Sequence, residues 1–117
     1  MIVYTDKYDF TINKGATWRI NLIWKDEDCI VMDLTGYTAR LQARKRGENS
    51  DLIIDINTEN GGISIVPLTG EIELLIEAVD TADLLKGKFK YDLEMVNGSE
   101  VTRLLEGFIT IKENITQ

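Results

Sequence analysis

Apolar and polar residues alternate along most of this chain, which is the period-two pattern of strands with one buried face. The pattern is clearest over residues 71–95, where two alternating runs flank a short segment of helical character. The inward positions of these two runs are Ile72, Leu74 and Ile76, then Phe89, Tyr91, Leu93 and Met95. Between the runs the sequence predicts one helical turn near residues 79–85, capped by Asp80-Thr81 and ended by Gly87.

The rest of the chain repeats this alternation in short runs that are separated by turn residues. Asn97-Gly98 is the strongest hairpin signal, since both residues tolerate positive φ, and it predicts pairing of residues 88–96 with 100–112. Turn spacing and strand length together predict an all-β fold, an antiparallel sandwich of seven to nine strands. The predicted core comprises Trp18, Ile20, Leu22, Leu41, Ile54, Leu74, Tyr91 and Leu93.

The strand, helical turn and strand of residues 71–95 fit the corner at which a chain crosses between the two sheets of an immunoglobulin-like sandwich. That corner often carries a tyrosine that bonds back to the preceding loop, and here Phe89 or Tyr91 must fill the place. Residues 1–117 are long enough to form one such domain, and no internal repeat or linker divides them.

Composition limits the compartment and the partners. The net charge of −7 disfavours nucleic acid as a partner, because phosphate binding needs Lys and Arg. The single cysteine excludes an internal disulfide and suits a reducing compartment. No apolar run is long enough to span a membrane, and residues 1–6 lack the pattern of a signal peptide, so we expect neither a membrane location nor secretion by that route.

Candidate catalytic chemistry is sparse, and we expect no enzyme activity, no metal and no cofactor. The chain has no histidine, which excludes Ser-His-Asp and Cys-His nucleophile systems. Cys29 is interpreted as a buried or incidental thiol. Glu71, Glu73 and Glu77 fall on a predicted solvent face, and residues 26–28 lack the ligand spacing of a calcium loop. Trp18 and Trp24 alternate with apolar residues and are predicted to lie in the core, although exposed tryptophans would favour carbohydrate binding.

One basic run interrupts the acidic chain. Arg40, Arg44, Lys45 and Arg46 are interpreted as a solvated strand end and loop, with an electrostatic dock for an acidic neighbour as the alternative.

Three segments carry a resemblance to known proteins: residues 32–42 (MDLTGYTARLQ), 87–94 (GKFKYDLE) and 101–111 (VTRLLEGFITI). In this order they resemble small structural proteins of tailed bacteriophages, most closely the immunoglobulin-like N-terminal domain of phage baseplate upper proteins and less closely phage head-decoration domains. The similarity extends from about Phe10 to Thr116. The chain ends soon after the predicted sandwich, without the receptor-binding or fibre-like extension of the baseplate proteins.

The resemblance implies a non-enzymatic virion component, assembled in the host cytoplasm, that docks in a tail, baseplate, collar or adaptor. Its implied partners are other virion proteins and copies of itself. A capsid decoration protein and a carbohydrate-binding module are the alternatives.

A docking surface is predicted on the outer face of the last strand. Leu105, Ile109 and Ile111 share the inner parity of this strand, so Leu104 and Phe108 are left on the outer one. Ile23 and Leu75 likewise break the polar parity of their strands. Together these four residues predict a contiguous apolar patch for protein contact, with cover by a loop of the same chain as the alternative.

Overall fold

A computed structural model describes residues 2–3, 6–45 and 51–113; for residues 2, 3 and 6 it describes the backbone alone. It contains ten strands, eight of them four residues or longer. The strands are β1 (Ile2–Val3), β2 (Asp6–Lys7), β3 (Phe10–Asn13), β4 (Trp18–Trp24), β5 (Thr38–Arg44), β6 (Leu52–Asn57), β7 (Ile63–Val66), β8 (Glu71–Ile76), β9 (Gly87–Asn97) and β10 (Glu100–Lys112). A 3₁₀ turn (Pro67–Thr69) joins β7 to β8, and helix α1 (Ala78–Thr81) lies between β8 and β9.

The strands form two sheets. The smaller has the order β1-β4-β8-β7, and the larger has the order β2-β10-β9-β5-β6, with β3 following β2 along the same edge of β10. In immunoglobulin nomenclature these are an A-B-E-D sheet and an A′-G-F-C-C′ sheet. The predicted immunoglobulin-like sandwich is thereby confirmed.

The N-terminal segment changes sheets, and its pairings are parallel, which the antiparallel prediction did not include. β1 pairs with β4, whereas β2 and β3 pair with β10. The break between β2 and β3 lies at Tyr8-Asp9, beside Gly107, where an added Cβ atom would clash with the Tyr8 carbonyl oxygen. Glycine at 107 therefore allows the residues that join β2 to β3 to stay close to β10.

The core lies between the inner faces of the two sheets. Seven of the eight predicted core residues are buried, and Ile20 is half-buried and packs against them. Trp18 and Trp24 are among the buried side chains, as predicted, and Trp18 meets the ring of Phe10 edge-on at 5.4 Å. Apolar side chains from both sheets thus form one continuous core.

The β9–β10 hairpin is the longest pairing in the molecule. Asn97 pairs with Glu100 across the predicted Asn97-Gly98 turn, in which Gly98 has a φ of 62°. The register shifts between Arg103 and Leu105, so that Leu104 is an extra residue in β10. Such a β-bulge changes which parity faces inward.

The helical turn lies near its predicted place, but it begins at Ala78 and ends at Thr81, so it does not extend through Leu84-Leu85. Asp80 and Thr81 do not cap it, because Glu77 occupies the N-cap position and makes no side-chain cap bond. Instead the buried Thr81 hydroxyl accepts a hydrogen bond from the Gly15 N–H (3.0 Å) and lies 2.8 Å from the Ala16 carbonyl oxygen, to which it donates. Thr81 therefore ties the corner to the β3–β4 turn.

Neither predicted aromatic residue ties the corner to its own loop. Tyr91 donates its hydroxyl to the carbonyl oxygen of Tyr8, at 2.5 Å and 83 residues away in sequence. The prediction of a corner tyrosine is thus wrong in its partner, since Tyr91 anchors the N-terminal segment instead.

Candidate functional site

Leu104 does not lie on the outer face of β10. Its side chain is completely buried, as is that of Leu105, because the bulge turns both leucines towards the core. The prediction that Leu104 belongs to a docking surface is therefore wrong, and parity alone failed because it assumes an uninterrupted strand.

Phe108 does lie on the outer face, with 42% of its surface exposed. The Lys88 ammonium nitrogen stands 4.7 Å from the centre of its ring, a cation–π geometry. Its backbone N–H donates to the carboxylate of Asp9 at 3.0 Å. Phe108 is thus a partly exposed aromatic residue on a well-anchored backbone.

Ile23 and Leu75 lie on the smaller sheet, and both are half-buried. On that sheet the cross-strand row of Asn21, Glu73 and Ser64 separates them. The predicted contiguous patch is therefore absent from the described residues, since Phe108 is on the larger sheet and a polar row divides the other two. Leu75 instead borders a groove between β6 and β8, together with Ile53, Ile56 and Leu84.

The outer face of the larger sheet is organised in rows that run across the strands. Three successive rows, each read from β6 to β10, are Asn57-Arg40-Glu94-Arg103, Asp55-Gln42-Asp92-Glu106 and Leu52-Arg44-Lys90-Phe108. We call these the mixed row, the acidic row and the basic row. Cross-strand neighbours of this kind are close enough to interact directly.

Ion pairs join the mixed row to the acidic row. Arg40 contacts Glu94 at 2.7 Å, and the Arg103 guanidinium lies 3.7 Å from both Asp92 and Glu94 and 3.9 Å from Glu106. A shallow depression of about 400 Å³ opens beside this network, between Gln42, Lys90 and Arg103 among other residues. The face is thus a pre-ordered polar surface with a shallow concavity.

Asp92 is the electrostatically strained member of this network. Burial raises the pKa of its carboxyl above the ordinary value, and the neighbouring Glu94 raises it further. Arg103 and Arg40 lower that pKa, but they do not reverse its direction. A further cation over the acidic row would therefore be favourable.

The two lysines of β9 lie on the same face. Lys88 and Lys90 are exposed, and within residues 2–3, 6–45 and 51–113 neither forms an ion pair. Along β9 the outward charges therefore divide into a positive half and a negative half.

The basic run of the sequence does not act as one surface. Arg40 is neutralised by Glu94, Arg44 lies in the basic row, and Lys45 is exposed beyond the end of β5. Arg46 lies outside the described residues, and so do residues 47–50, whose sequence Gly-Glu-Asn-Ser predicts a polar hairpin tip.

Other predicted chemistry is dispersed. No group of three or more Cys, Asp or Glu side chains converges to hold a metal ion in the part of the chain that the structure describes. Cys29 is exposed, so it is not a buried thiol, and of the predicted alternatives the incidental thiol stays a prediction. No helix over the described ranges has the length and apolar character needed to cross a membrane.

No family model matches the chain, and no curated protein sequence matches it significantly.

The rows were not predicted from the sequence, although part of their signal was visible. The outward positions of β9 read Lys88, Lys90, Asp92 and Glu94, two positive charges followed by two negative ones. Their neighbours on β5 and β10 depend on the strand order and on the bulge at Leu104, which alternation alone does not give.

Proposed function

We propose that this chain is a non-enzymatic structural protein of a tailed-bacteriophage virion, assembled in the host cytoplasm, and that it docks as a tail, baseplate, collar or adaptor component. The observation that carries the proposal is where the three phage-like segments lie. Residues 32–42, 87–94 and 101–111 are far apart in sequence, but they supply β5, β9 and β10, which are neighbours in the larger sheet. The resemblance therefore concentrates on one surface.

That surface has the properties of a protein contact. It combines the partly exposed ring of Phe108 with a fixed network of charges around Arg103. Interfaces typically combine aromatic and arginine anchors with a polar surround that fixes orientation. We therefore place the dock on the outer face of the larger sheet, and Leu104 has no part in it.

Carbohydrate binding is the weaker alternative, because Trp18 and Trp24 are buried and offer no stacking platform. A capsid decoration protein belongs to the same structural class and would use a similar face. The position of the protein in the particle separates decoration from a tail or baseplate role.

The test is to purify particles from the organism that encodes the chain and to locate the chain in them with a specific antibody. We expect it to co-sediment with particles and to be labelled at the tail, baseplate or collar by immunogold microscopy. Labelling distributed over the head would support decoration, and recovery only in the soluble fraction would refute a virion role.

A paired substitution tests the surface. Phe108→Ser should abolish incorporation into particles while the chain still folds and melts cooperatively. Val79→Ser is the matched control, since Val79 is 72% exposed on α1, away from the larger sheet's outer face. Equal incorporation of both variants would refute the proposed dock.

A further inference from the structure

The central strand of the larger sheet carries a charge order that is complementary to itself. On the outer face of β9 the side chains alternate with the buried Phe89, Tyr91, Leu93 and Met95, and they read Lys88, Lys90, Asp92 and Glu94. Read in the opposite direction, the same positions give two negative charges followed by two positive ones. A second copy laid antiparallel across this strand therefore meets opposite charge at each of these four positions.

The symmetry of such a contact is defined. Two identical faces that pack together are related by a twofold axis lying between them. An axis at the level of Tyr91, perpendicular to β9, places Lys90 opposite Asp92 of the second copy and Asp92 opposite its Lys90. An axis parallel to the strand would place each row over itself, so that the acidic row of Asp92 and Glu106 would face its own copy.

We propose that the chain forms a twofold-symmetric homodimer through the outer faces of its larger sheets, with reciprocal Lys90–Asp92 contacts nearest the axis. Packed sheets cross at roughly 30°. This angle hardly separates facing side chains near the twofold axis, but it separates those farther along β9 by more. The Lys88 and Glu94 pairing is therefore longer-range than the central one.

The charges in the described part of the sheet fit this arrangement. Lys90 is exposed and makes no ion pair there, so it is available to a second copy. Asp92 lies beside Glu94 and Glu106, which makes an added cation favourable at its position. Lys90 of each copy thus places a positive charge next to Asp92 in the acidic row of the other copy.

The face is also broad enough for a modest interface. Five neighbouring strands spaced about 4.8 Å apart, and eight residues of β9 separated by seven rises of about 3.3 Å, give a footprint of roughly 19 by 23 Å between Cα positions. Stable dimers bury about 800 Å² on each partner, so this face reaches that size only when its protruding side chains are included. We therefore expect a weak dimer governed by charge.

This inference concerns the same face as the proposed dock but does not depend on a virion role, because self-association of the purified chain is measured without any virion. In sedimentation equilibrium at low ionic strength we expect a concentration-dependent dimer. Exposed ion pairs are screened by salt, so the dimer should dissociate as sodium chloride is raised towards molar concentration. A monomer at millimolar protein concentration in low salt would overturn the proposal.

Two charge reversals test the predicted axis. Lys90→Glu and Asp92→Lys should each raise the dimer dissociation constant by about tenfold or more, since each replaces two attractions by two like-charge contacts. Mixed together, the two variants should form a heterodimer, because Glu at position 90 then faces Lys at position 92 on the other copy and the remaining pair is unchanged. The double variant Lys90→Glu/Asp92→Lys should dimerise on its own for the same reason.

The controls separate the face from general charge. Arg19→Glu makes the same charge change on the outer face of the smaller sheet, where Arg19 lies 3.7 Å from Glu73, and it should dimerise like the wild type. Far-ultraviolet circular dichroism and a thermal melt show whether each variant is folded. If a single variant is unfolded, the double variant Lys90→Glu/Asp92→Lys serves as the test in its place. Dimerisation unaffected by the reversals would overturn the proposed face, and failure of the mixture to associate would overturn the proposed axis.

Discussion

The Tyr91 hydroxyl shows how one residue fixes the path of a distant segment. Its ring belongs to the core beside Phe10, while its oxygen reaches the Tyr8 carbonyl between β2 and β3. Burial, and then the nearby Asp9 and Tyr8, raise the pKa of this phenol well above its ordinary value. The hydroxyl therefore stays a donor in the folded state at any pH near neutrality.

Tyr91→Phe should destabilise the protein by about 1–3 kcal/mol, because the Tyr8 carbonyl loses its buried partner. The raised pKa means that the folded state retains this proton more strongly than the unfolded state. The stability that the Tyr91 hydroxyl contributes is fully present below about pH 10 and is lost as pH rises through the folded-state pKa. The difference in stability between Tyr91→Phe and the wild type should therefore be smaller at alkaline pH. Urea unfolding at neutral and alkaline pH measures both effects. Tyr8→Phe, which keeps the carbonyl, should change stability by less than about 0.5 kcal/mol.

The Asp92 carboxylate, unlike the Tyr91 hydroxyl, destabilises the folded state at neutral pH. Its folded-state pKa is raised above the ordinary value of an aspartate, chiefly by burial, so the folded state binds this proton more tightly than the unfolded state. The associated stability is fully present below that value and is lost as pH rises through the folded-state pKa. At neutral pH the ionised carboxylate therefore lowers the free energy of unfolding.

Asp92→Asn should consequently be more stable than the wild type at neutral pH, by a few tenths to about 1 kcal/mol, since solvent screens this half-buried site. The difference should shrink as pH falls towards about 4. Urea unfolding at micromolar protein concentration keeps self-association out of the measurement. A variant that is less stable at pH 7 would show that the ion pair with Arg103 outweighs the cost of burial.

Inside and outside were predictable for individual residues wherever a strand is regular. Alternation placed Trp18, Leu41 and Leu93 in the core correctly. It could not find Thr81, a buried polar residue whose hydroxyl contacts Ala78 within its own turn and, more than 60 residues away, Gly15 and Ala16. The two distant hydrogen bonds depend on the tertiary structure and leave no local pattern in the sequence.

At the scale of elements, the β-bulge in β10 decides which residues belong to the core. Before the bulge Thr102 pairs with the buried Met95, and after it Leu105 pairs with Leu93, so the inward parity changes at Leu104. In the sequence alone, the adjacent Leu104 and Leu105 give the pattern of a strand that is apolar on both faces. The sequence signal of the bulge is this adjacent apolar pair at a change of parity.

Leu104→Ala should therefore cost about 2–5 kcal/mol, as expected for a cavity in a packed core. Phe108→Ala, four residues along the same strand, should cost less than about 1.5 kcal/mol, since its ring is partly exposed and loses chiefly the contact with Lys88. Calorimetric melts of the two variants give the comparison directly. Equal stabilities would mean that Leu104 is not a core residue.

The ends of an element were predicted more accurately where the local sequence signal is stronger. The Asn97-Gly98 turn predicted the last hairpin to within a residue at each strand end. The helical turn was placed near its position but with the wrong ends, because Asp80 and Thr81 resemble a cap while Glu77 already occupies that position. A single turn of helix has too few residues for periodicity to correct such an error.

At the scale of the molecule, the N-terminal segment joins the two sheets at one edge of the sandwich. β1 lies on β4, while β3 lies on β10 and contributes Phe10 and Ile12 to the core. The alternation of Tyr8, Phe10 and Ile12 with polar residues predicts a strand here, but it does not predict the parallel pairing or the change of sheet. Those features follow from which edges remain open once the other strands have paired.

Removal of residues 1–13 should abolish cooperative folding. The deletion takes two aromatic or aliphatic core side chains, each worth about 2–5 kcal/mol, from a domain whose total stability is of order 5–15 kcal/mol. It also uncovers the edges of β4 and β10, which invites aggregation through unpaired strands. Circular dichroism melts and light scattering measure the two consequences, and a truncated chain that melts cooperatively near the wild-type temperature would contradict the prediction.

A synthetic peptide of residues 1–14 should restore the fold of the truncated chain when added in excess, because a ligand that binds only the folded state stabilises it by mass action. The rescue depends on the inward side chains of β3 and on the Tyr8 carbonyl oxygen, which accepts the hydrogen bond from the Tyr91 hydroxyl. A matched peptide with Phe10→Ala and Ile12→Ala keeps the backbone hydrogen bonds to β10 but lacks the core contacts, so it should fail. Equal rescue by both peptides would show that edge pairing alone, without the core side chains, is sufficient to complete the sandwich.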